Sequence, residues 1–256
     1  MTTDTRHTAA GISVKDLRKV YHAASGDVVA IDGLDLEIRP GEFLSILGPS
    51  GCGKSSLLNI LAGFEAPTSG QALLNGDAIT GPSRLQGVVF QDTSALFPWL
   101  SIYDNVGFGL RNARLDKAEL DGKIRSALAL VGLQDFADKW PHELSGGMRQ
   151  LASIARVLVT DSRVLLMDEP FAALDAMTRQ TMQHKLIDIW EATNLTVMLI
   201  THSVDEAIYL GNRVLVFTRR PARIAVEIPV DLPYPRKVTD PAFNELKSTA
   251  LTHLGF

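Results

Sequence analysis

The sequence predicts an α/β fold built on a mostly parallel sheet, and three observations predict it. Short apolar runs the length of buried strands alternate with helical stretches, the order that a parallel sheet requires. One run, Phe43–Leu47, leads directly into Gly48-Pro49-Ser50-Gly51-Cys52-Gly53-Lys54-Ser55, whose glycines let backbone N–H groups turn inward around phosphates. Another, Val164–Met167, ends abruptly in Asp168 and Glu169. Charge thus stands where ligands of such sheets bind, outside the carboxyl ends of the strands.

In chain order, residues 1–11 are polar and small and read as a loose tail without the apolar core of a secretory signal. Ile12–Val20 and Leu34–Ile38, separated by turn formers around Ser25-Gly26-Asp27 and Asp32-Gly33, predict an antiparallel β start. Phe43–Leu47 is a buried strand, and Lys54–Leu61 continues from the loop as a helix whose N-terminus faces an anion. Gln71–Leu74 and Val88–Gln91 read as further strands. From about residue 93 to 158 the pattern turns helical, with Leu128, Val131 and Leu133 among its apolar positions, which predicts an inserted helical subdomain. Val164–Met167 and Val197–Ile200 return to buried strands, and Arg213–Phe217 with Arg223–Ile228 predicts a closing hairpin. Prolines at 229, 233, 235 and 241 then suit a surface-running tail with one short final helix. The organisation expected is a single domain over 12–228 between tails 1–11 and 229–256.

At 256 residues the chain can bury a sizeable core, and 46% hydrophobic with 21% charged residues is an ordinary globular composition. A net charge of −4 argues against a nucleic-acid backbone as main partner, which needs a basic surface for counterion release. The single cysteine, Cys52, excludes a disulfide framework within the chain, and a reducing cytoplasm fits. Histidines at 7, 22, 142, 184, 202 and 253 are scattered without metal-ligand spacing. No run approaches the ~20 apolar residues that span a bilayer; if the protein works at a membrane, other chains supply the spanning part.

The chemistry-bearing residues follow from the loop. Lys54 brings a point charge to the β- and γ-phosphates of a nucleotide, and the Ser55 hydroxyl can reach Mg²⁺. Asp168 is suited to orient Mg²⁺ through water, and Glu169 to polarise a water for attack on the γ-phosphate. Without the loop, the pair would read as an acidic turn after a core strand. Gln91 ends a strand, where its amide can contact both Mg²⁺ and the lytic water; a solitary Gln is otherwise solvated surface. His202 follows another strand and could reach the γ-phosphate, or be structural. Tyr21 offers a face for an adenine ring, or packs on its strand neighbour. Cys52 lies in the loop just before the helix, where a helix N-terminus and a lysine favour a reactive thiolate; the alternative is a small buried filler.

In their order along the chain these residues resemble the nucleotide-binding subunit of ATP-binding cassette (ABC) transporters over nearly the whole length. Tyr21 matches the adenine-stacking position and Gly48–Ser55, with Ser56 beside it, the Walker A loop. Gln91 matches the Q-loop, and Leu144-Ser145-Gly146-Gly147-Met148 the signature. Val164–Glu169 matches Walker B, Ala173-Leu174-Asp175 the D-loop and His202 the switch. The resemblance implies a P-loop NTPase (RecA-like) core with an antiparallel β subdomain and an inserted helical subdomain. It implies ATP and Mg²⁺ as cofactors, bound by Tyr21, Gly48, Pro49, Ser50, Gly51, Cys52, Gly53, Lys54, Ser55, Ser56, Gln91, the signature residues 144–148, Asp168 and Asp175. Ser145 and its glycines would open a helix whose amides face the γ-phosphate held by a second cassette, so two chains close head-to-tail to complete their sites.

Within the family, Gly87–Asp92, Leu96-Phe97-Pro98-Trp99, Asp104-Asn105-Val106 and Arg220-Pro221-Ala222-Arg223-Ile224 resemble the importers of nitrate, alkanesulfonates and taurine. That resemblance implies membrane permease subunits and a soluble substrate-binding protein as partners, a place at the cytoplasmic face of the inner membrane, and an aromatic cluster at Phe97–Trp99 that receives the permease. Leu151 stands where relatives carry arginine, and Ala222 where they carry glycine. The rival classes are the motor of another transporter, an exporter included, and a non-transport cassette ATPase, which would show a long coiled-coil insertion or two cassettes in one chain.

Overall fold

The computed structural model describes residues 9–22, 24, 26–90 and 96–255. The chain begins with β1 (Ile12–Tyr21), β2 (Val28–Ile38) and β3 (Phe43–Leu47), followed by α1 (Lys54–Leu61), β4 (Ser69–Leu74), β5 (Asp77–Ala78) and β6 (Gln86–Val89). A helical segment comprises α2 (Ile102–Gly107), α3 (Lys117–Val131) and α4 (Gly146–Leu158). Then come β7 (Val164–Asp168), α5 (Ala176–Thr193), β8 (Thr196–Thr201), α6 (Val204–Leu210), β9 (Arg213–Phe217), β10 (Ile224–Pro229) and α7 (Pro241–Leu254).

The strands form two sheets. One has the order β10-β9-β3-β8-β7-β6, with β9, β3, β8, β7 and β6 parallel and β10 antiparallel at its edge. Every residue of β3, β8 and β9 is buried, because helices cover both faces of a parallel sheet. Alternation along these strands feeds two cores. Phe43, Leu47, Leu165, Met167, Val197 and Leu199 join the helical segment on one side, while Leu44, Ile46, Leu166, Met198 and Ile200 join α1 and the other sheet. Truncating such a residue, Leu166→Ala for example, costs about 2–5 kcal/mol.

The second sheet, β2-β1-β4-β5, is antiparallel, as the sequence predicts. Its second strand is longer than expected. Asp32-Gly33 does not separate two segments, because the β1–β2 register shifts between Leu17 and Lys19 and so takes in Gly33 at φ 66° without ending the strand.

Local signals explain the helix ends. Asp116 and Glu119 form a reciprocal capping box at the start of α3, and Gly132 at φ 76° stops it. Ala10 and residues 229–254 are held more firmly than loose tails would be. Ala10 is buried and its carbonyl accepts a 2.6 Å hydrogen bond from Thr196 Oγ1. The final helix α7 buries Phe243 and Ala250 in the core, and Arg236 donates to the carbonyls of Ile208 and Tyr209 in α6, so residues 229–254 are docked. A buried ion pair, Arg213 Nε to Glu42 Oε1 at 2.7 Å, ties the start of β9 to that of β3. Among the described residues no helix is long and apolar enough to cross a membrane.

Candidate nucleotide site

The phosphate loop runs from the carboxyl end of β3 into α1. Gly53 caps the helix in the left-handed region, and a Cβ there would lie 2.5 Å from the Ala30 carbonyl oxygen, so only glycine fits. Lys54 is buried and its Nζ donates to the carbonyls of Gly48 at 2.7 Å and Pro49 at 2.9 Å. The ammonium is thus held at the centre of its own loop, where phosphate oxygens can exchange for these carbonyls. A cavity of about 350 Å³ opens above, lined by Tyr21, Val28, Ala30, Ser50, Gly51, Gly53, Lys54, Ser55, Ser56, Glu169 and Arg220.

Cys52 corrects an expectation. Its thiol is 1% exposed and sits in the second core, and the cavity lining does not include it. A Cβ on Gly48 would be 3.0 Å from Cys52 Sγ, so the sulfur fills space beneath the loop. The reading of a reactive thiol fails because a reagent cannot reach a sulfur packed beneath the loop.

Strand β7 delivers the carboxylates. Asp168 is partly buried and accepts a hydrogen bond from Ser55, and burial, then the neighbouring Glu169 charge, push its pKa above the usual carboxylate range. Two oxygen donors side by side suit a hard divalent cation with phosphate and water filling its remaining positions. Among the described residues no cluster of three His, Cys, Asp or Glu offers a closed metal cage. Glu169 takes φ 46°, a left-handed conformation that costs a non-glycine residue roughly 1–2 kcal/mol. Its N–H donates to the Ile200 carbonyl at 2.9 Å, and its Oε2 lies 3.1 Å from His202 Nδ1.

Tyr21, at the end of β1, places its hydroxyl 2.7 Å from Glu65 Oε2 and 3.1 Å from Ser56 Oγ, with Lys19 Nζ 4.9 Å above its ring. Partial burial raises its pKa. Gln91 lies outside the described residues.

Residues 144–148 stand apart. Ser145 caps α4 by accepting from the Met148 N–H at 3.3 Å, leaving the first amides of that helix forward-facing. A Cβ on Gly147 would approach Thr178 Cγ2 to 2.8 Å, so this glycine lets α4 pack on α5; Leu144 is buried. Asp175 caps α5, accepting from Thr178 N at 3.0 Å and Oγ1 at 2.7 Å, bonds that lower its pKa. None of residues 144–148 lines the cavity. Leu151 packs against the first core, and Ala222 is buried with its Cβ 3.1 Å from a Cβ built on Gly53.

Two residues were not read from the sequence as part of the site: Glu206, and Arg220, which entered only through the resemblance of Arg220–Ile224 to the importer branch. Glu206, 5% exposed, accepts from Thr201 Oγ1 and from Gln183 Nε2 at 3.1 Å, fixing the turn that carries His202. Arg220 reaches the cavity from the β9–β10 turn. Its place in an Arg-Pro turn after a buried strand was legible, but which way the turn folds back was not.

A Gly-rich loop between a parallel strand and a helix, two carboxylates at the tip of a neighbouring strand and a remote Ser-Gly-Gly helix start define a cassette-type P-loop nucleoside triphosphatase. Residues 31–172 match the family model for ABC transporter, and the chain belongs to that family as an ATP-binding subunit carrying its ATPase domain. It is 47% identical over 238 residues to a taurine import ATP-binding protein of Roseobacter denitrificans, covering 93% of this chain and 88% of that one. It is 40% identical over 240 residues to an aliphatic sulfonates import ATP-binding protein of Bacillus cereus, covering 94% of each. Among solved structures, a dimeric ATP-binding cassette in a post-hydrolysis state bound to ADP and Pi superposes with a TM-score of 0.73 at 27% identity, over 87% of this chain and 100% of that one.

Proposed function

We propose that this chain is the motor of an importer for a small anionic solute such as taurine, another sulfonate or nitrate. Two copies close head-to-tail on the cytoplasmic face of the inner membrane, against permease subunits served by a soluble binding protein. The observation that carries the dimer is that the cavity gathers the phosphate loop, Tyr21 and Glu169 but none of residues 144–148. One chain holds two half-sites, and the related cassette bound to ADP and Pi is dimeric.

In this reading Tyr21 stacks on adenine, the loop amides of Gly48–Ser56 and Lys54 hold the phosphates, and Ser145–Met148 of one copy close over the γ-phosphate of the other. Asp175 holds the start of α5 next to that junction. Ser55 and Asp168 would hold Mg²⁺ through their oxygens, with Gln91 as a third ligand, and the ion would supply neutralisation of phosphate charge. Glu169 orients and deprotonates the attacking water, and His202 hydrogen-bonds Glu169 and the γ-phosphate.

The importer branch is supported by the taurine and sulfonate relatives and by the aromatic cluster. Trp99 is 67% exposed, its ring 5.4 Å from Phe97, over which Arg156 lies at 4.9 Å. An exposed tryptophan held by a packed neighbour suits an interface anchor. The test is reconstitution in liposomes of the chain with the permease and the binding protein that copurify with it. ATP-driven uptake of labelled taurine or alkanesulfonate is expected; uptake of neither, with ATPase activity intact, would reassign the solute.

A further inference from the structure

The cavity carries a second cation, Arg220, that neither the loop motif nor the comparisons assign. It projects from the β9–β10 turn, and its Nε donates to the Gly51 carbonyl at 3.1 Å. The turn is rigidly held. Thr218 Oγ1 donates to the Pro221 carbonyl at 3.0 Å, and the buried Ala222 donates its N–H to Ala30 at 2.8 Å, in the strand that floors the cavity. Of the other arginines of the hairpin, Arg213 pairs with Glu42 and Arg223 with Asp32, at 2.7 Å each, and Arg219 does not line the cavity. Among the described residues Arg220 has no carboxylate partner and uses one of its five donors.

An exposed, unneutralised guanidinium pinned beside a phosphate loop is built for phosphate oxygens, since its planar fork pairs with them bidentately and retains full charge. We propose that Arg220 is a nucleotide-binding residue that contacts the phosphates beyond the first of a bound nucleoside di- or triphosphate, while its bond to Gly51 sets the shape of the loop tip. It supplements Lys54, whose ammonium approaches from beneath the loop. The proposal rests on the reading that nucleotide occupies this cavity.

The test compares the full chain with Arg220→Ala and Arg220→Lys, measuring equilibrium binding of fluorescent ATP, ADP and AMP analogues at fixed salt, with thermal unfolding alongside. Loss of a charge-assisted contact predicts ATP and ADP affinity lower by about 10-fold or more in Arg220→Ala, AMP within about 2-fold, and partial recovery in Arg220→Lys. Unchanged ATP affinity in a variant that melts normally would overturn the proposal, and so would an equal loss for all three nucleotides, which would assign Arg220 to loop shape alone. If the unmodified chain binds none of them, the reading of the cavity itself falls.

Discussion

His202 Nδ1 stands 3.1 Å from Glu169 Oε2, a pairing produced by the parallel register of β7 and β8, in which Asp168 lies opposite Ile200. Both strands end together, so the residues that follow them meet above the sheet edge. Glu169 reaches this place only through a left-handed backbone. Backbone strain at this carboxylate, beside a phosphate loop, supports the proposal that Glu169 is a positioned base.

Glu169→Gln should keep ATP binding and lose hydrolysis by roughly 10²–10⁴-fold, the usual contribution of general-base assistance. The variant should accumulate as an ATP-bound dimer on size-exclusion chromatography. Turnover equal to the unmodified chain would remove Glu169 from the mechanism. His202→Ala should lower turnover too, with nucleotide affinity largely retained.

The two signature glycines should separate by phenotype. A carboxylate at Gly146→Asp stands at the helix start and should abolish ATP-driven dimer closure while leaving nucleotide binding nearly intact. Gly147→Ala instead drives a methyl group to 2.8 Å from Thr178 Cγ2 and should cost about 1–3 kcal/mol of stability. Measuring nucleotide affinity, dimerisation and thermal unfolding for both distinguishes the roles. Parallel loss of affinity and closure in Gly146→Asp would make that residue a support of the fold.

Most of this architecture was readable in the residues because local signals agreed with tertiary demands. Lys54–Leu61 is helical to the residue, and the buried strands are identifiable from short, mostly apolar runs. Asp32-Gly33 misled because turn propensity is a local preference, and pairing with β1 overrides it through a register shift. The docking of residues 229–254 was hidden for a similar reason. Prolines signal the absence of regular structure, not exposure, and Arg236 anchors the segment through carbonyls that only the folded chain presents. Arg220 and Glu206 escaped because their significance depends on what lies across a turn.

Glu206 makes stability depend on pH with a definite sign. Burial raises its pKa above the ordinary value of 4.5, so the folded chain holds a proton that the unfolded chain releases. Its contribution is therefore present below the unfolded pKa and is lost as pH rises through the folded value. Glu206→Gln keeps the shape and removes the titration. The melting temperature of the unmodified chain should fall relative to Glu206→Gln as pH rises from 4.5, the difference levelling off once the carboxyl is ionised in both states. A constant difference across that range would show that the group does not titrate differently on folding.

Cys52 should be inert in the folded chain despite its place in the phosphate loop. Its sulfur lies under Gly48 with Lys54 Nζ at 3.9 Å and is shielded from the cavity above. A maleimide reagent should label the native protein slowly, at the rate of local opening, and label it rapidly in denaturant. MgATP should slow the native reaction further, because ligand binding stabilises the closed loop by mass action. Cys52→Ala should hydrolyse ATP normally and lose roughly 1–2 kcal/mol, the scale of removing one small buried group. Labelling of the native chain as fast as a free thiol would mean that the loop opens readily, and loss of ATPase activity in a stable Cys52→Ala chain would mean that the sulfur does more than fill space.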